Sequence, residues 1–206
     1  MKITTRRAAG AGVLSIALLV AACGDQQDAV DTPSETTAAQ TTGPQDGQVD
    51  QTHNDVDAMF AQMMIIHHEG AIEMADLALE RADSAEVRDL AQRISAAQGP
   101  EIAEMTAWLE AWDEETTADE DMSGHSGMDM GGMSQDEAMT ELEGRTGSDF
   151  DRRFLELMIA HHEGAVAMAE DQLADGQNPQ ALDLARKIID DQQAEIGEME
   201  ELLKSL

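Results

Sequence analysis

The sequence predicts an all-α fold in which four long helices form two repeated hairpins, with a short helix between them. Two observations predict it. Residues 57–76 align without a gap to residues 151–170, an offset of 94, with eleven of twenty positions identical. The same offset carries residues 89–105 onto 183–199, with nine of seventeen identical. Composition is the second observation: aromatic residues are 2% of the chain and Tyr is absent, while Met reaches 14. Few aromatic and β-branched residues argue against a sandwich or barrel. Each repeat reads as a helix, a break and a second helix, and two such hairpins pack most simply as an antiparallel bundle.

The first segment is an address. Lys2, Arg6 and Arg7 precede an uncharged, mostly apolar run at 8–22, shorter than the roughly 20 residues a spanning helix needs. Residues 1–22 therefore read as a signal peptide. The run ends Val20-Ala21-Ala22-Cys23, which resembles the lipobox of bacterial lipoproteins. That resemblance implies acylation of Cys23 and a mature chain held by lipid outside the cytoplasmic membrane. Residues 23–52 are rich in Gln, Thr, Asp, Pro, Ser and Gly without apolar periodicity. They read as a disordered tether, because such a segment buries too little surface to offset its ordering entropy.

Residues 53–206 form the predicted bundle, with repeats at about 55–113 and 149–206 and a Met-rich connector at about 114–147. In repeat one, Asp83-Ser-Ala-Glu86 resembles a capping box opening the second helix. Gly99-Pro100 falls inside that helix, where a lost backbone donor predicts a kink rather than a break. In the connector, Ser134-Gln-Asp-Glu137 is a capping box for a short helix ending near Gly144. In repeat two, Ser148-Asp-Phe-Asp151 is expected to open the first helix. Gly176 is the expected terminator, and Asn178-Pro179 caps the second helix.

On the first helix of repeat one, Phe60, Met63/Met64, His67, Ala71, Met74 and Ala78 recur at three- and four-residue spacing and share one stripe. Phe154, Met158, His161, Ala165 and Met168 form the matching stripe in repeat two. Gln98, Glu101/Ile102 and Met105, with Gln192, Glu195/Ile196 and Met199, are the residues the second helices can turn toward these stripes. Glu69 and Glu163, beside the His pairs, are expected to orient imidazoles.

Met64-Ile-Ile-His-His-Glu-Gly-Ala-Ile-Glu-Met-Ala75 and Met158-Ile-Ala-His-His-Glu-Gly-Ala-Val-Ala-Met-Ala169 resemble the signature of the domain of unknown function 305 family. The downstream Gln98-x-x-Glu101-Ile-x-x-Met105 and Gln192-x-x-Glu195-Ile-x-x-Met199 fit the same family. The resemblance spans roughly residues 53–206. It implies a ferritin-like helical bundle, and some members of that family are secreted copper-binding proteins.

The residues make a chemical case of their own. With 43 acidic against 12 basic side chains the formal charge is −31. Such a polyanion repels nucleic acid and concentrates cations. The single Cys excludes an intrachain disulfide framework and a Cys-rich zinc or iron–sulfur site. Outside the cell, without thiolates, thioether and imidazole are the remaining soft or borderline ligands, and together they suit Cu(I). The expected metal ligands are Met64, His67, His68 and Met74 in one repeat and Met158, His161, His162 and Met168 in the other. Weaker contributions are expected from Met105 and Met199, and from Met122, His125, Met128, Met130 and Met133 of the Gly-rich connector.

Packing offers a competing account, since Met fills irregular cores readily and duplication copies packing residues as faithfully as ligands. A di-iron or dimanganese carboxylate oxidase is the enzymatic alternative. That chemistry wants Glu-x-x-His, and no Glu stands three positions before any His here. The sole Cys lies in the lipobox and no Gly-x-Ser-x-Gly occurs, so no catalytic constellation is present. The sequence therefore predicts a non-enzymatic, lipid-anchored copper scavenger or carrier, with a metal-free envelope interaction protein as the other alternative.

Overall fold

The structure is a computed structural model that describes residues 48–116 and 132–206. Among the described residues there are five helices and no strand, as the repeat predicts. They are α1 (Asp55–Arg81), α2 (Ala85–Trp112), α3 (Gln135–Glu143), α4 (Gly147–Asp175) and α5 (Pro179–Ser205). The hairpins α1–α2 and α4–α5 join through α1 against α4, α3 lies on both of these, and α2 meets α5 only lightly. No helix among the described residues is long and apolar enough to cross a membrane.

Local chemistry sets most of the helix ends. Asn54 and Asp57 form a capping box on α1, Ser134 and Glu137 another on α3, and Asn178 caps α5 ahead of Pro179. Two expectations shift. Ser84, not Asp83, caps α2, accepting from the backbone N–H of Glu86 and Val87. The α4 helix starts at Gly147 after Thr146, with no side-chain cap, so Ser148 lies inside its first turn. As expected of a kink rather than a break, helix α2 runs on through Pro100, whose exposed position leaves the unpaired carbonyl open to water. Gly176 does end α4, but at φ −71 rather than in the left-handed region. A Cβ there would lie 2.6 Å from the Gln172 carbonyl oxygen, so close approach, not backbone freedom, demands glycine.

Asp57 and Asp151, equivalent across the repeat, are both buried, and each fastens the turn of the other hairpin. Asp57 accepts from the backbone N–H groups of Gln177 and Asn178, at 3.1 Å for each, and from the Gln172 amide. Asp151 accepts from the N–H groups of Asp83 at 2.9 Å and Ser84 at 2.7 Å. Residues 48–52, placed in the tether by composition, lie on the bundle: Trp112 Nε1 and Asn178 Nδ2 donate to the Asp50 carbonyl, and Val49 packs on the core.

The core is split in two. One cluster holds Met74, Ile94, Leu142, Phe150, Phe154, Met158 and Met199. The other holds Phe60, Met64, Met105, Trp108, Leu109 and Ile188. The helix centres between them carry buried polar groups: His67, His68, Gln98, His161, His162 and Gln192.

Candidate metal centre

The antiparallel packing of α1 on α4 brings the two His-His pairs to the middle of the bundle. The rings of His67 and His161 lie 3.7 Å apart between centroids, tilted by 43°. Both line a cleft of about 380 Å³ together with Gly70, Gln135 and the exposed Glu69 and Glu73. Gln135, from the first turn of α3, donates to the Gly70 carbonyl at 3.0 Å and to Glu73 at 3.0 Å. A Cβ on residue 70 would lie 2.9 Å from the Gln135 Oε1, so glycine leaves room for the Gln135 amide in this position.

The second His of each pair takes a different partner. His68 Nε2 lies 2.8 Å from Glu101 Oε2 and His162 Nε2 2.7 Å from Glu195 Oε2. These glutamates, not Glu69 and Glu163, hold the imidazoles; both expected partners are exposed. Lys187 Nζ adds a 2.7 Å bond to Glu101 Oε1. Burial pushes the Glu101 carboxyl up, yet the hydrogen bonds with His68 and Lys187 prevail and hold it below its ordinary value. The His161 imidazole is held well below the usual 6.5, first by burial and then by repulsion from the neighbouring His67, His162 and His68. A neutral imidazole keeps a lone pair for a metal. The Nδ1 atom of His161 is buried without a hydrogen-bond partner among the described residues, which fits a ligand better than a core polar group.

The predicted methionines are brought together across the repeats rather than within them. Met64 and Met74 are ten residues apart, about 15 Å along one helix, and fall in different clusters. Met64 shares its cluster with Met105, and partly buried Met168 packs against it. Met74 shares the other with Met158 and Met199, and partly buried Met133 packs there. The convergence of Met64 and Met74 on one imidazole is thus replaced by two thioether groups on either side of a histidine layer. Met64, Met74, Met105, Met158 and Met199 are all fully buried, each worth about 1.5–3 kcal/mol as core alone. Cys23, Met122, His125, Met128 and Met130 lie outside the described residues. Among the described residues no three His, Cys, Asp or Glu side chains converge to hold a metal, so a metal here needs thioether or amide donors as well.

The domain of unknown function 305 (DUF305) family model matches residues 57–203. The chain belongs to the DUF305 family. Its fold is shared by solved members. A DUF305 protein from Streptomyces coelicolor is 33% identical, with a TM-score of 0.66, over 73% of this chain and 93% of that one. A DUF305 fragment from Deinococcus radiodurans is 32% identical, with a TM-score of 0.65, over 74% and 98%. CopM in its Cu(I)-bound form is 33% identical, with a TM-score of 0.60, over 72% and 96%. CopM has also been solved with Cu(II) and with Ag. No functionally curated protein matches the chain.

Proposed function

We propose that this DUF305 protein is a non-enzymatic copper scavenger or carrier that binds Cu(I) at the histidine layer, outside the cytoplasmic membrane and anchored through Cys23. The observation that carries the reading is the juxtaposition of His67 and His161, 3.7 Å apart, on one cleft that opens past Glu69 and Glu73. Met64 and Met158 stand one helical turn before these imidazoles, one in each flanking cluster. Imidazole with thioether is a donor set for a soft monovalent ion, and related CopM takes Cu(I) and Ag. The acidic mouth draws cations inward without offering soft ligands of its own. His68 and His162, tied to Glu101 and Glu195, give the layer a fixed wall.

The test is anaerobic competition against a Cu(I) chelator. His67→Ala/His161→Ala should lose tight binding while staying helical. Replacing Met122, Met128, Met130 and Met133 by Leu should leave tight binding intact, because ordering a Gly-rich connector opposes affinity. A folded His variant that binds Cu(I) as tightly as the parent overturns the site. For location, Cys23→Ser should abolish membrane attachment; unchanged attachment refutes the anchor.

A further inference from the structure

The histidine layer has a second side. The light meeting of α2 and α5 leaves a cleft of about 230 Å³ lined by Gln98, Glu101, Asp191, Gln192 and Glu195. We propose that this cleft is a separate site for a hard divalent cation, held by the carboxylates of Glu101 and Glu195 and the amide oxygens of Gln98 and Gln192. Gln98 and Gln192 are each 3% exposed, and the Oε1 atom of each is buried without a partner among the described residues. An amide oxygen left this way is costly, and two of them on one cleft form half of an oxygen donor set. The other half is already oriented, because His68 and His162 each hold one glutamate oxygen at 2.8 and 2.7 Å, the outer support that metal-binding carboxylates require. Carboxylate and carbonyl oxygens select hard ions, so this donor set differs in kind from the thioether and imidazole groups across the layer.

Charge points the same way. Glu101, Glu195 and Asp191 on the cleft face one ammonium, Lys187, which lies 2.7 Å from both Glu101 Oε1 and Asp191 Oδ2. The carboxylates outnumber the ammonium, so the cleft is net negative and attracts a dication. Lys187 occupies the carboxylate oxygen that the metal would take, so binding displaces its ammonium toward solvent. The cleft holds an ion with several waters, each filling about 30 Å³.

The proposal stands apart from the Cu(I) reading, and the experiment keeps the two separate. Mn(II) is titrated into the metal-free, full-length protein, with free Mn(II) read from its electron paramagnetic resonance signal. The parent should show one saturable site above the weak binding of its acidic surface. Glu101→Gln/Glu195→Gln should lose at least about tenfold in Mn(II) affinity, and Lys187→Met should gain about tenfold by removing the competing charge. The Cu(I) affinity of Lys187→Met should stay at the parental value. A gain on removing Lys187 cannot come from lost structure, so that variant decides the matter if the double glutamine variant fails to fold. A parent without a saturable Mn(II) site, or a helical variant of either kind with parental Mn(II) affinity, overturns the proposal.

Discussion

Replacing Asp57 by Ala should cost about 3–5 kcal/mol, although Asp57 lies far from the histidine layer. The side chain is fully buried and satisfies donors on two hairpins. It accepts from the Asn54 N–H at 2.9 Å, from the Gln177 and Asn178 N–H groups and from Gln172 Nε2. Asn178 and Gln172 are themselves buried, so their donors find no water after the substitution, at about 1–3 kcal/mol each. The Asn54 and Gln177 donors are partly buried and add less. For a folded part of this size, about 4 kcal/mol lowers Tm by about 8–16 °C. The assay is urea and thermal unfolding of the full chain, followed by helical circular dichroism. Asp55→Ala is the control. It removes an exposed charge from the same first turn and should cost under about 1 kcal/mol. An Asp57→Ala penalty below about 1 kcal/mol, or one equal to that of Asp55→Ala, would show that this carboxylate does not fasten the α4–α5 turn.

Three further outcomes follow from the same structure. The metal-free protein should lose stability on acidification below about pH 6.5: His161 binds its proton less readily folded than unfolded, so stability is full above the unfolded value and falls beneath it by up to about 1.4 kcal/mol per pH unit. A urea midpoint unchanged between pH 7.5 and 5.5 contradicts this. Gly176→Ala should destabilise by about 1–3 kcal/mol, since its Cβ meets the Gln172 carbonyl oxygen at 2.6 Å and backbone cannot yield cheaply; a neutral result in thermal melts counts against it. Met64→Leu/Met158→Leu keeps core volume and should cost less than about 1.5 kcal/mol per site, while weakening Cu(I) in the chelator competition. Parental Cu(I) affinity in that variant would return both thioethers to packing alone.

The helices were legible because periodicity and capping are local, and the duplication carried one reading to both halves. Ser134, Glu137 and Asn178 act as their spacing indicates. The role of Asp57 was hidden, since its partners lie about 120 residues away and leave no mark on the local pattern. The imidazole partners were hidden for another reason. Glu69, Glu101 and Glu104 all recur at the offset of 94, as Glu163, Glu195 and Glu198, so repetition ranks them equally. Only the rotation of α2 against α1, and of α5 against α4, selects Glu101 and Glu195. Met64 and Met74 share a stripe, but a stripe records angle around the axis and not the 15 Å of rise between them.

The adjacent histidines explain why a duplicated hairpin gives a layer with two chemically different sides. Neighbouring residues on a helix point about 100° apart, so the two imidazoles of one pair cannot serve the same side. Packing α1 antiparallel to α4 turns His67 and His161 toward each other and sends His68 and His162 to the glutamates of α2 and α5. The same antiparallel arrangement puts the methionine before one pair into the cluster opposite the methionine before the other. One side therefore presents the His67 and His161 imidazoles, with Glu69, Glu73 and Gln135 beside them, and the opposite side presents Gln98, Gln192, Glu101, Glu195 and Asp191 without an imidazole. Moving either histidine by a single position would swing its ring by about 100° and out of the layer, so the His-His spacing itself is what gives the layer its two different sides.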